Sequence, residues 1–113
     1  MGEEKNFENR VKKFLKSEGI FYVKYFANGY TQAGIPDILA CHNGIFLGIE
    51  VKAEGGKLSE LQKVKLREIA EAGGGAVVVF PSGFELFKKY IKGGYSYKYS
   101  INIFKHDYIE HSL

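Results

Sequence analysis

The stretch Gly34-Ile35-Pro36-Asp37-Ile38-Leu39-Ala40-Cys41-His42-Asn43-Gly44-Ile45-Phe46-Leu47-Gly48-Ile49-Glu50-Val51-Lys52 decides how this chain folds. Two apolar, β-branched runs flank Asn43-Gly44, a pair suited to a two-residue turn in which both central residues take positive φ. Closing the hairpin there sets its register: His42 faces Ile45, Ala40 faces Leu47, Ile38 faces Ile49, and Asp37 faces Glu50. Hydrogen-bonded and non-hydrogen-bonded pairs alternate outward from the turn, which puts Asp37 and Glu50 on a non-hydrogen-bonded pair. Facing Cβ atoms there stand roughly 4.5–5.5 Å apart. Two facing carboxylates repel, so a fold keeps them when a cation lies between them or when one holds a proton. Lys52 lies two residues beyond Glu50, on the same face. Pro36 has no N–H for the next pairing with Val51, so the ladder should stop near Asp37 and leave that carboxylate at an open strand end.

The other face of the hairpin carries Ile38, Ala40, Ile45, Leu47, Ile49 and Val51, and must be covered. The acidic face also holds Leu39, Cys41, Phe46 and Gly48, so partial cover is expected there too. A surface hairpin with incidental terminal charges is the bland alternative. The register and the breaker at Pro36 together favour a site.

These residues resemble the PD-(D/E)XK nuclease motif, with Pro36-Asp37 followed by Glu50-Val51-Lys52. The longer pattern, Gly34-Ile35-Pro36-Asp37 through Glu50-Val51-Lys52 and on to Ser59-x-x-Gln62, resembles the VRR-NUC branch over about residues 4 to 80. The resemblance implies a restriction-endonuclease-like α/β fold with an αβββαβ core. It also implies Mg²⁺ or Mn²⁺ bound by Asp37, Glu50 and the Val51 carbonyl, with Glu8 joining directly or through water. By the same resemblance, Lys52 orients or deprotonates the attacking water and Gln62 stands beside it. The implied activity is hydrolysis of DNA phosphodiester bonds to leave a 5′-phosphate, by an endonuclease of branched DNA such as four-way (Holliday) junctions or flaps. A non-catalytic DNA-binding subunit and an exonuclease are the alternatives; intact Asp37, Glu50 and Lys52 argue against a dead site.

The chain of 113 residues is long enough for one domain with a modest core. We read residues 1–93 as the nuclease-like domain and residues 94–113 as a C-terminal arm of it. The 45% hydrophobic and 15% aromatic content belongs to a folded chain. A net charge of +3 permits nucleic-acid binding without diagnosing it. No apolar run is long enough to span a membrane, and the charged N-terminus does not read as a signal peptide. A lone cysteine, Cys41, excludes an internal disulfide and a multi-cysteine zinc site. These features fit a reducing compartment, cytoplasmic or nucleoid-associated, with Cys41 as a small buried filler.

Along the chain, residues 3 to 18 read as a helix with Phe7, Val11, Phe14 and Leu15 on one stripe and Gly19 as its stop. Glu8 borders that stripe, where it either favours the helix dipole or reaches over the sheet. Lys12, Lys13 and Lys16 read as a solvated basic face. Ile20 to Phe26 reads as a strand. The polar loop after it holds Tyr30 and Gln32, candidate DNA contacts in what is otherwise an ordinary loop. Lys57, in the glycine-rich turn after the hairpin, is a candidate phosphate contact. Ser59 opens a helix to Gly73 through a capping box with Gln62. The helical wheel nevertheless turns Gln62 and Lys65 inward with Leu61, Leu66, Ile69 and Ala72. Lys65 is a further DNA-binding candidate, or it snorkels outward.

Gly75 to Phe80 reads as a buried strand, and Ser82-x-x-Glu85 as a second capping box opening a helix with Phe84, Phe87 and Ile91. The alternation Tyr95, Tyr97, Tyr99, Ile101, Ile103 predicts a strand at a core edge or a dimer interface, rather than an arm stacking on unpaired bases. Its apolar surface and the need for two sites to cut two strands point to a two-fold homodimer. His42, His106 and His111 match no zinc spacing.

Overall fold

The computed structural model describes residues 2–94 and 100–112. Helix α1 (Gly2–Ser17) leads into β1 (Phe21–Lys24), then the hairpin β2 (Ile38–His42) and β3 (Ile45–Val51). Helix α2 (Glu60–Glu71), β4 (Gly75–Val79), a 3-10 turn (Pro81–Gly83) and α3 (Phe84–Gly93) follow, and β5 (Ile101–Lys105) and β6 (Tyr108–Ser112) close the chain. The six strands form one mixed sheet in the order β1-β2-β3-β4-β5-β6. β1, β2 and β3 run antiparallel, β3, β4 and β5 parallel, and β6 antiparallel to β5. This is the expected α/β architecture, a mixed sheet flanked by helices.

The hairpin register is the one the turn chemistry demands. Ile38 pairs with Ile49, Ala40 with Leu47 and His42 with Ile45, and Asn43 and Gly44 both have positive φ, 53° and 79°. Pairing ends at Ile38, leaving Asp37 in a bend ahead of the strand. The apolar hairpin face is covered by α1 and α3. Phe7, Val11, Phe14 and Leu15 from α1 and Phe84, Phe87, Tyr90 and Ile91 from α3 join Ile38, Leu47, Ile49 and Val51 in the larger core. A smaller core on the other face gathers Leu66 and Ala70 of α2 with Ala76, Val78, Phe80 and Ile101.

Three expectations need correction. Cys41 is exposed, because α2 crosses β3, β4 and β5 and leaves the β1–β2 half of its face open. Leu61 is 45% exposed and Ala72 is also at the surface, not turned inward. Ser82 does not cap α3: its hydroxyl donates to Glu54 Oε2 at 2.6 Å, its N–H donates to Glu54 Oε1 at 2.9 Å, and its oxygen accepts from the His106 N–H at 2.8 Å. Glu85 pairs instead with Lys88 at 2.8 Å. Over residues 100–112 the predicted strand is present: β5 and β6 extend the sheet, with Ile101 pairing Ala76 and Ile103 pairing Val78. A pattern of period two identifies a strand but carries no information on whether the strand finds a central place. Tyr95, Tyr97 and Tyr99 lie outside the described residues.

Candidate active site

The sheet end where β2 begins and β3 finishes collects the charged residues of the motif. Asp37 is fixed by its own backbone and side chain together. Its carbonyl accepts from the Tyr25 N–H at 2.8 Å, and its Oδ2 accepts from the Val51 N–H at 2.9 Å. The amide that Pro36 would have faced is therefore satisfied by the neighbouring carboxylate. The Val51 carbonyl points to the same edge as its N–H, and Pro36 has no N–H to offer it.

Gly34 makes this bend possible. Its φ is +84°, and a Cβ there would stand 2.8 Å from the Leu61 carbonyl oxygen at the start of α2. The loop bearing Pro36-Asp37 thus lies directly on the helix that bears Gln62.

Glu50 is 3% exposed. Burial, then the negative charge of Asp37, push its carboxyl up to about 8, although Lys52 pulls the other way. Gln62 stitches the group together. Its Nε2 donates to Glu50 Oε2 at 3.1 Å, and its Oε1 accepts from Lys52 Nζ at 3.0 Å and from the Ser59 N–H at 2.9 Å. The capping box and the inward placement are one arrangement: Ser59 Oγ accepts the Gln62 N–H at 3.1 Å while the amide bridges acid and base. Lys52 Nζ is 3.5 Å from Glu50 Oε2.

On the other side of Asp37 stands Lys24, a residue the motif does not contain. Its Nζ is 2.9 Å from Glu8 Oε1 and 3.6 Å from Asp37 Oδ1. Glu8 is 5% exposed, with Lys12 Nζ 2.9 Å from its Oε2. Burial works to raise the Glu8 carboxyl, but its bonds and ion pairs with Lys24 and Lys12 outweigh it and hold the group below its ordinary range. Burial likewise works against the Lys24 ammonium, and Glu8 and Asp37 more than reverse that. Glu8 thus reaches the sheet end, with the Lys24 ammonium between it and Asp37. The sequence offered one faint signal for Lys24: in Phe21-Tyr22-Val23-Lys24 it falls on the inward phase with Tyr22, which packs against the larger core.

The other expected contacts scatter. Gln32 and Lys65 line one groove of about 350 Å³ with Ile35, Phe46 and Ile69, away from Asp37 and Glu50. Lys65 pairs there with Glu68 at 3.2 Å. Tyr30 is fully exposed on a turn held by its own N–H donating to Asn28 Oδ1. Lys57 is exposed on the loop before α2.

The donor set suits a hard divalent ion. Two carboxylates and a carbonyl are all oxygen, and a Mg²⁺-like ion takes one or two carboxylates, its remaining positions going to water and phosphate. Among the described residues no group of three or more His, Cys, Asp or Glu that could hold a metal ion gathers.

The sequence profile of the VRR-NUC domain matches residues 3–80, well over half of the chain. The chain belongs to the VRR-NUC family. This is a nuclease domain family of the restriction-endonuclease-like superfamily, and it makes DNA the substrate. No curated protein and no solved structure gives a match. Among the described residues no helix is long and apolar enough to cross a membrane.

Proposed function

We propose that this VRR-NUC chain is a divalent-metal-dependent, structure-specific DNA endonuclease, acting on branched DNA such as four-way junctions or flaps and leaving a 5′-phosphate. The observation that carries the reading is the bridge Glu50–Gln62–Lys52, set beside Asp37 at one sheet end. Asp37, Glu50 and the Val51 carbonyl would hold Mg²⁺ or Mn²⁺. Bound there, the ion supplies positive charge to the scissile phosphate and acidifies a water. Lys52 faces the same space. Gln62 holds its ammonium, and the lysine orients the attacking water and steadies the charge that grows on the phosphate oxygens. Gln62 also prevents Glu50 from turning away. Tyr30, Gln32, Lys57 and Lys65 are proposed DNA contacts outside this centre, Tyr30 by stacking and the lysines through phosphates.

A panel of labelled junctions, flaps, nicked duplex and linear duplex with Mg²⁺ or Mn²⁺ tests the reading. Lys52→Ala should lower cleavage by on the order of a hundred- to a thousandfold while DNA affinity stays within a few-fold. Undiminished cleavage by this variant, or full activity in excess chelator, would sink the mechanism. Wild-type binding without any cleavage would favour a DNA-binding subunit, and cleavage only from ends would favour an exonuclease.

We further propose a two-fold homodimer, built on the sheet face that α2 leaves open. Phe21 is 70% exposed and Val23 and Phe46 nearly half exposed there, next to the outer edge of β1, which no strand pairs among the described residues. Light scattering should give twice the chain mass, and Phe21→Lys should return it to the monomer. A monomer in both cases refutes the dimer and moves the substrate away from four-way junctions.

A further inference from the structure

Lys24 has no part in the steps above, and it sits where a cation would be wanted. Asp37 divides the site. Glu50, Gln62 and Lys52 lie on the α2 side, and Lys24, Glu8 and Lys12 on the α1 side. On the α1 side two carboxylates approach a common point, and the Lys24 ammonium fills it, 2.9 Å from Glu8 Oε1 and 3.6 Å from Asp37 Oδ1. The Phe26 ring closes over it, 5.9 Å from the ammonium to the ring centre. The location is constrained from three directions. Glu8 is anchored on α1 beside buried Phe7. Lys24 ends the edge strand opposite Ile38. Asp37 is tied to Tyr25, which directly follows β1, and to Val51 of β3.

We infer that Lys24 is a built-in cation that takes the place of a second divalent ion between Glu8 and Asp37, so that the centre loads a single ion, on the Asp37, Glu50 and Val51 side. This rests on the divalent-ion reading above.

The charges support it. Glu8, Asp37 and Glu50 can bring three negative charges, and Lys12, Lys24 and Lys52 bring three positive ones. Without Lys24, Glu8 and Asp37 would face each other across a gap with a net negative charge, open to a hard cation. With Lys24 in place, a divalent ion entering that gap must displace an ammonium held by a buried carboxylate. On this account Glu8 acts through Lys24 and does not itself hold the ion. Lys24 is a positioning residue: it holds Asp37 Oδ1 toward the α1 side while Val51 holds Oδ2. A plain salt bridge tying α1 to the sheet edge would give the same distances but would leave the number of bound ions unchanged when it is removed.

The experiment counts Mn²⁺ bound to the full-length, metal-stripped protein, by titration calorimetry and by electron paramagnetic resonance. Wild type should bind one ion per chain. Lys24→Met, which keeps an unbranched side chain one atom shorter and removes its charge, should bind two, with the spin-coupled signal of a manganese pair. Lys24→Arg should return to one, and Lys24→Met combined with Glu8→Gln should lose the second ion. Lys24→Gln makes the same test should the Met variant not fold, as judged by its thermal midpoint. Two ions on wild type, or a single ion on folded Lys24→Met or Lys24→Gln, would overturn the inference. Wild type that binds no Mn²⁺ at all would instead overturn the divalent-ion reading, and this inference with it.

Discussion

The two faces of β3 divide the labour of the molecule. On one face Leu47, Ile49 and Val51 are wholly buried under α1 and α3, in the larger cluster of hydrophobic side chains. On the other face the environment changes along the strand. Phe46 is 47% exposed, Gly48 is sealed by Ile69 and Pro36, and Glu50 is 3% exposed against an amide and an ammonium. The first face stabilises the fold through buried apolar area. The second holds a buried acid whose environment disfavours its charge, which lowers stability. A single strand can do both because its side chains alternate, so the dry face anchors the backbone that aims the wet one.

The largest expected effect is on the dry face. Ile49→Ala should cost about 2–5 kcal/mol and lower the thermal midpoint by roughly 10 °C or more. Cleavage per folded molecule should survive at low temperature. A variant that melts like wild type would mean that the α1–α3 layer does not carry the stability assigned to it.

The wet face should respond with the opposite sign. The Glu50 carboxyl stands near 8 in the fold, against 4.5 for the ordinary group. As pH rises between those values the unfolded chain gives up this proton while the folded protein keeps it, so Glu50 makes the fold progressively less stable across that window. Glu50→Gln removes the titration. Without divalent ions the variant should therefore melt higher than wild type at pH 7–8, with the gap closing as pH falls toward about 4.5. It should also cleave no DNA. Parallel pH profiles for the two proteins would show that Glu50 is not held protonated.

Gly48 should show a smaller effect, at the point where the two environments meet. A Cβ there would lie 2.6 Å from Ile69 Cδ1 and 3.0 Å from Pro36 Cγ. Gly48→Ala should cost about 1–3 kcal/mol. Adding Ile69→Val, which deletes the clashing methyl, should recover part of that loss. Equal melting of the single and double variants would place the strain at Pro36, and a change in cleavage would then follow through Asp37.

Much of the site is legible in the amino-acid sequence. Asn43-Gly44 determines the hairpin register, because positive φ at both turn residues and alternation along the strands are local rules. The register and the missing N–H of Pro36 together place Asp37, Glu50 and Lys52 at one strand end. The α1 stripe and the Ser59–Gln62 capping box follow from helical periodicity and cap chemistry in the same way. Ser82-x-x-Glu85 satisfies the same cap pattern and fails, because Glu54, far away in sequence, supplies a better partner for the Ser82 hydroxyl.

Only the tertiary structure decided what the patterns left open. Lys24 reaches Glu8 and Asp37 because α1 packs across the end of an edge strand, a contact that no spacing encodes. Cys41 stays in the open because α2 covers one half of the sheet and not the other. Ile101 and Ile103 lie beside β4, a place their alternation left open because a strand's period is the same at an edge or in the middle. Short-range sterics and hydrogen bonding act between residues close in sequence and can be read there. Which distant side chains share a charge, a proton or a surface depends on how the layers stack, and that is settled by burial of the whole chain at once.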